Sequence, residues 1–311
     1  MILLCGIPSE TPLRLIAERL QAARARFVVF NQRHFADCQI ELEISGGAVR
    51  GNFRIDGRDH PLEQFRAVYL RLMDHRCLPE LDGQPEDAPM RQHCAGLHET
   101  MLRWADVAPA CVVNRSAPSA TNISKPYQAQ IIRRHGFLVP ETLITSHPEA
   151  VRAFQARHGR VVYKSISAIR SIVQPLEEAD LARLERIRWC PTQFQAYVDG
   201  TDLRVHVAGD QVYATAVSSA ATDYRYALQQ TGQPAQLREV ELSAELAERC
   251  VGLTRTLGME LSGIDLKVTP EDEVYCFEVN PTPAFSYYEL STGQAISGGI
   301  ARRLMDASSS R

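Results

Sequence analysis

LSGIDLKVTPEDEVYCFEVN, residues 261–280, reads as two short strands around a tight turn. The first strand carries Gly263 and Asp265 among apolar residues, and the turn spans 269–273 with Pro270 inside it. The second strand, 274–280, is rich in β-formers. Side chains alternate faces along a strand, so Glu278 and Asn280 share one. A loop of 270–273 pairs Thr269 with Val274 and, counting back, sets Asp265 opposite Glu278. Two carboxylates and a neutral amide oxygen then converge, a hard donor set suited to Mg²⁺. On this stretch alone, a solvated hairpin whose acids merely confer solubility fits equally well.

The flanking chain supplies basic partners for these acids. Asn122-Ile123-Ser124-Lys125-Pro126 reads as a helix start, with Ser124 as N-cap and Pro126 in the first turn, and Gly136 stops the helix. Lys125 at a first turn opposes the helix dipole, which favours an anion beside it, although surface lysines also occur there. Lys164 ends the apolar strand Val161-Val162-Tyr163, where it must find a partner or reach solvent. The polar loop 165–171 follows, with Arg170 and no glycine. The strand 192–198 contains Gln195-Ala196-Tyr197-Val198. Next comes a hairpin, 202–207 and 211–217, on which Asp202 and Arg204 are same-face neighbours; paired and exposed, they would add little. A polar loop at 222–234 holds Asp223-Tyr224-Arg225-Tyr226. Helices are expected over 242–257 and 286–305, the latter carrying Tyr287, Tyr288 and Glu289, which suit either an acceptor channel or packing.

Residues 1–30 read strand, helix, strand, a βαβ opening that implies a parallel, helix-covered sheet. A hairpin at 39–55, a buried strand at 65–72, a helix at 90–104 and a strand at 110–113 complete this unit, and 114–121 is a polar connector. No G-x-G-x-x-G follows the first strand, which argues against a dinucleotide loop. Arg71, Asp74 and His75 follow a strand's carboxyl end, where such folds place ligands, and a solvated loop explains them equally. His34, His93 and His98 have no evident partner in the sequence.

The chain has 311 residues and a net charge of −3 without blocks of like charge, which argues against a nucleic-acid or anionic-membrane surface. The apolar start is too brief for a signal peptide or span. Eight cysteines are scattered with no C-x-x-C pair, so a reducing cytoplasm is the simplest setting.

Taken in order, Lys125, Lys164, the Gln195 strand, D-x-R at 202–204, Asp265 and Glu278-Val279-Asn280 resemble the ATP-grasp ligases over roughly residues 112–300. Within that family, Gly136-Phe137-Leu138-Val139-Pro140-Glu141-Thr142 and the 281–293 tail are similar to the ribosomal-protein glutamate ligase and the ligases that macrocyclise ribosomal peptides. The resemblance implies an α/β (α+β) ATP-grasp fold. Its parts would be an N-terminal pre-ATP-grasp α/β domain (1–115), a central lid-bearing subdomain (116–193) and a C-terminal metal-binding subdomain (194–311). It implies ATP and Mg²⁺, or Mn²⁺, and an amide or ester bond made through an acyl phosphate. Lys125 and Lys164 would hold phosphates, Gln195, Ala196, Tyr197 and Val198 the adenine, and Asp202 the nucleotide. Arg204 and Arg225 would stabilise transferring charge, with Asp265, Glu278 and Asn280 on the metal. The glycine-free loop and Ala196, where the family carries glutamate, depart from the pattern. The expected partner is a peptide or protein, such as a ribosomal precursor peptide, with homo-oligomers compatible. A ligase of free small molecules, or a weakly active nucleotide-binding regulator, are the alternatives.

Overall fold

The computed structural model describes residues 1–165 and 172–309, without the Arg225 side chain. The expectations for the 166–171 loop, Arg170 included, and for Arg225 as a catalytic side chain lie outside the described residues.

The N-terminal unit runs β1 (Ile2–Gly6), α1 (Thr11–Ala22), β2 (Phe27–Asn31), β3 (Gln39–Ser45), β4 (Ala48–Ile55), β5 (Arg58–Pro61), β6 (Ala67–Arg71), α2 (Pro89–Val107) and β7 (Cys111–Val113). Four strands form a parallel sheet in the order β2-β1-β6-β7. Strand β1 is apolar throughout because both its faces are covered. Leu3 and Cys5 join Val68 and Trp104 on one face, while Ile2 and Leu4 meet Leu13, Ile16 and Leu20 of α1 on the other. The expected hairpin at 39–55 gains a third strand, β5. Its sequence, Arg-Asp-His-Pro, carries no alternation that would have revealed it.

Next come α3 (Ser116–Ala120), α4 (Lys125–Arg134), β8 (Thr142–Thr145), α5 (Pro148–His158), β9 (Val161–Ser165), β10 (Gln174–Pro175), α6 (Glu178–Ala182) and β11 (Thr192–Ala196). The strands make an antiparallel sheet in the order β10-β9-β11-β8. Ser124 precedes α4, but its side chain makes no capping bond, contrary to expectation. Residues 178–189 form α6 and then a 3-10 turn, Leu184–Trp189. Asp180 accepts from the Glu177 N–H at 3.1 Å and from Arg183 Nε at 3.1 Å, so α6 closes on itself.

The chain ends with β12 (Thr201–Ala208), β13 (Gln211–Ser218), α7 (Ala227–Thr231), β14 (Gln236–Val240), α8 (Ala244–Thr256), β15 (Leu261–Val268), β16 (Val274–Asn280), α9 (Phe285–Thr292) and α10 (Ile296–Ser309). Five strands pair antiparallel in the order β14-β13-β12-β15-β16. One face presents Val205, Val207, Ile264, Leu266, Cys276 and Val279 to a core closed by α4 and α8. Period-two alternation sends Asp202, Arg204, Asp265, Lys267 and Glu278 to the other face. Strand β14 lies inside a polar stretch and was not legible as a strand. The one helix expected over 286–305 is two, because Gly293 ends α9 in the left-handed conformation (φ +79°).

Candidate active site

The hairpin register differs from the expected one at its turn and agrees with it at the acids. Val268, not Thr269, faces Val274. Thr269 instead belongs to the loop, accepting from Asp272 N–H at 3.0 Å and donating its own N–H to Glu273 at 2.9 Å. A register shift between Asp265 and Leu266 then adds one residue to β16, so that Cys276 faces Leu266 while Glu278 faces Asp265. The extra residue, Phe277, lines the pocket beside them. The bulge thereby brings both carboxylates opposite one another at the end of an otherwise shifted ladder.

Helix α4 is pinned to β16 by one buried side chain. Gln128 donates Nε2–H to the Val279 carbonyl at 2.8 Å and accepts from the Val279 N–H at 2.9 Å. It thus completes the edge of the outermost strand, where unpaired backbone groups would otherwise be stranded. Lys125 lies one helical turn earlier on the same face. It donates Nζ–H to Glu278 Oε2 at 2.8 Å and to Asn122 Oδ1 at 2.6 Å. Burial alone would raise the Glu278 carboxyl, but the charges of Lys125 and Lys164 overcome it and hold the group down at about 2. Glu278 is therefore a carboxylate at any physiological pH.

Arg204 is buried at 6 % exposure. It donates Nη1–H to Asp265 Oδ1 at 2.5 Å across the β12–β15 pair. Burial opposes its charge, but Asp265 more than restores it. Asp202 does not pair with Arg204, as same-strand proximity had allowed. It accepts an ion pair from Lys267 Nζ at 3.3 Å, directly across the strands. Burial raises the Asp202 carboxyl and Lys267 opposes that rise. Lys267 was overlooked in the sequence, although its spacing of two from Asp265 was the signal that it shares the face.

A cleft joins these groups to the central sheet. Its walls include Lys164, Gln195, Ala196, Tyr197, Val198, Asp202, Asp265, Lys267 and Glu278. Gln195 Nε2 donates to Thr142 Oγ1 at 3.0 Å. The Ala196 N–H bonds Glu141 O at 2.9 Å and the Tyr197 N–H bonds Arg160 O at 2.9 Å. The Arg160 guanidinium stacks 3.8 Å over the Tyr197 ring, with Lys267 Nζ at 5.4 Å. The chain around 195–198 is thus braced from behind while one side stays open to the cleft.

Among the described residues no cluster of three His, Cys, Asp or Glu side chains is placed to hold a metal. The third oxygen donor beside Asp265 and Glu278 would have to be the Asn280 amide, which accepts from Thr282 N–H at 2.9 Å and faces Gly263. An ionised Glu278, a facing Asp265 and that amide form a hard oxygen set that fits Mg²⁺ or Mn²⁺.

Other expected residues serve elsewhere. Arg71 pairs with Glu10 at 3.0 Å, and Asp74 accepts from the Arg76 N–H at 3.0 Å; neither they nor His75 line the cleft. His93 bonds the Phe35 and Cys38 carbonyls, and His98 approaches Gln32 at 3.5 Å. His34 meets Asp56 at 3.4 Å. Glu289 is buried against Ser297 and Arg19, tying α9 to α10 and α1. Tyr288 packs against the Arg204 side of the sheet. Asn114 was read only as part of a polar connector. Its amide donates to Leu261 O (2.7 Å) and Pro281 O (2.6 Å) and accepts from Glu260 N–H (2.8 Å), clamping both ends of the hairpin.

Residues 124–304, more than half of the chain, match the RimK-like ATP-grasp domain. A probable alpha-L-glutamate ligase of Parasynechococcus marenigrum (strain WH8102) is 24% identical over 204 residues, covering 60% of this chain and 42% of that protein. The match thus spans less than half of that relative. Among solved structures, the ATP-grasp ligase PsnB, complexed with a phosphomimetic variant of a minimal precursor, Mg and ADP, is 27% identical with a TM-score of 0.78. That superposition covers 98% of both chains. Macrocyclase MdnC from Microcystis aeruginosa MRC, bound with precursor peptide MdnA, aligns with a TM-score of 0.81 at 24% identity over 98% of this chain and 99% of its own.

Proposed function

This chain belongs to the RimK-like ATP-grasp family, and from that premise we propose that it is an ATP-dependent ligase modifying a peptide or protein. It would join a carboxylate to an amine or hydroxyl. The observation that carries the reading is the Glu278 carboxylate, paired with Lys125 at 2.8 Å and held down by the charge of Lys164, in a cleft that Lys164 and 195–198 also line.

In this reading the β/γ-phosphates lie by Lys125 and Lys164, and the adenine lies along Gln195, Ala196, Tyr197 and Val198 with Asp202 nearby. Asp265, Glu278 and Asn280 would hold Mg²⁺, which when bound neutralises β/γ-phosphate charge. A substrate carboxylate oxygen attacks the γ-phosphorus, and the bond to the β-bridging oxygen breaks, releasing ADP. An amine or hydroxyl then attacks the acyl carbon, phosphate leaves, and the nucleophile gives up its proton. Arg204, fixed by Asp265, would stabilise the negative charge of both stages, and Arg225 would assist it. The buried setting strengthens these contacts and protects the acyl phosphate from water.

We assign residues 1–115 to an N-terminal unit, and move the expected 193/194 boundary between the central and C-terminal units to follow Ala196, because β11 pairs with β8 and β9 of the central sheet. A cytoplasmic location accords with eight free cysteines, and no described helix is long and apolar enough to cross a membrane. A peptide substrate is favoured by the resemblance to PsnB over nearly the whole chain. A second reading, addition of glutamate to a protein or small acceptor, is favoured by the names of the curated relatives.

The test is phosphate release from Mg·ATP with ribosomal-type precursor peptides rich in Thr, Ser, Lys, Asp and Glu, and with free amino acids, followed by mass spectrometry. Loss of one water per bond from a peptide supports cross-linking. Gain of a glutamyl residue supports the second reading. Nucleotide binding without turnover across both panels would overturn the ligase assignment in favour of a regulatory binder.

A further inference from the structure

The Arg204 guanidinium also lies near aromatic groups that the ligase reading does not employ. The Tyr288 ring on α9 has its centroid 5.7 Å from Arg204 Cζ. It meets the His206 ring edge-on at 4.9 Å. Its hydroxyl shares a 2.9 Å hydrogen bond with the Tyr224 hydroxyl. Tyr224 stands in the cleft wall beside Asp223, whose carboxylate accepts from the Val173 N–H at 3.2 Å. Tyr288 is 6 % exposed and His206 fully buried.

These contacts matter because, apart from the Gly263 backbone it packs on, Arg204 is hydrogen-bonded at one corner. Among the described residues its Nε has no hydrogen-bond partner, and neither does either ring nitrogen of His206. Nη1 is anchored on Asp265. A planar guanidinium fixed at a single nitrogen can still swing, and its value as a donor depends on the direction of its N–H bonds. The Tyr288 ring blocks that swing from one side. The Tyr224 hydroxyl in turn fixes the ring, and links it to the 222–224 segment of the cleft wall.

We propose that Tyr288, tethered by Tyr224, is the positioning residue of Arg204, setting the guanidinium plane for the transferring phosphoryl group. The proposal rests on the reading of Arg204 as the group that stabilises that charge. It distinguishes two contributions: the ring acts as a wall, and the hydroxyl bridge keeps the wall in place. Tyr288→Leu removes both, whereas Tyr288→Phe and Tyr224→Phe remove only the bridge.

The experiment titrates Mg·ADP into the full chain by calorimetry with and without aluminium fluoride, a mimic of the transferring phosphoryl. Fluoride should tighten wild-type ADP binding by about tenfold or more, and Arg204→Ala should abolish that gain. Tyr288→Leu should lose most of the gain. The two Phe variants should each lose part, and the double Phe variant no more than either single one, because they share one hydrogen bond. ADP affinity without fluoride should change by less than about twofold in Tyr288→Phe, whose melting temperature reports folding. A full gain in Tyr288→Leu and Tyr288→Phe, with none in Arg204→Ala, overturns the positioning role alone. Weaker binding of ADP itself in Tyr288→Phe, with the fluoride gain intact, also overturns it. No gain in wild type, or an undiminished gain in Arg204→Ala, overturns the reading of Arg204 and the positioning role with it.

Discussion

Arg204 lies across the backbone of Gly263. A Cβ at position 263 would stand 2.1 Å from Nη2 and 2.7 Å from Cζ of Arg204, and 2.7 Å from the Pro283 Cβ. The glycine is required here by that close approach, not by its backbone angles. The guanidinium is held between this floor and Asp265, at the point where the proposed chemistry needs it.

Gly263→Ala should therefore displace Arg204 and slow turnover by about a hundredfold, the cost typical of misplacing a group by an ångström. Mg·ATP affinity should be almost unchanged. Steady-state kinetics with the accepted substrate, alongside ATP titration, checks the split; an equal loss in both would point to general disruption.

Gln128→Ala should strand the Val279 N–H and carbonyl, both buried, and cost about 2–4 kcal/mol in urea unfolding. It should also loosen Lys125 over Glu278, so weaker Mg·ATP binding is expected in the same variant.

Glu278 gives the fold an acid-sensitive component. Its folded carboxyl titrates at about 2, below the ordinary 4.5, so its stabilisation is present above about 4.5. It is lost as pH falls from there toward 2. Urea midpoints of wild type and Glu278→Gln should differ at pH 7 and converge only as pH approaches 2, while an unchanging difference would exclude the linkage.

His206 adds to the same acid sensitivity at a higher pH. Burial first, then the charge of Arg204, drives its folded pKa well below 6.5. The unfolded chain thus takes up a proton that the folded chain refuses. Stability should fall as pH drops below about 6.5, by up to about 1.4 kcal/mol per pH unit. His206→Phe should remove that slope between pH 7 and 5, read as the difference between the two unfolding curves.

Much of the site was legible because strand alternation is a local rule. Glu278 and Asn280, or Asp265 and Lys267, must share a face whatever the rest of the chain does. The helix start that carries Lys125 and the two-sided burial of β1 were likewise readable from short windows. Gln128 and Asn114 were not. A polar residue in a helix or a connector looks solvated until the strand edge whose backbone it completes is folded against it. The break in the C-terminal helix was missed because a lone Gly293 is tolerable within a helical pattern.

The sequence by itself determined the residue types, their order along the chain and the faces they occupy: two lysines, a D-x-R strand and an acidic hairpin, in an α/β chain. Only the tertiary structure decided who faces whom. Asp265 meets Glu278 through a bulge that offsets a one-residue error in the turn. Asp202 chooses Lys267, and Arg204 chooses Asp265 over its own strand neighbour. The physical reason is that alternation depends on adjacent peptide units alone, whereas register and pairing depend on backbone bonds between segments far apart in sequence. One added residue in one strand exchanges every partner beyond it.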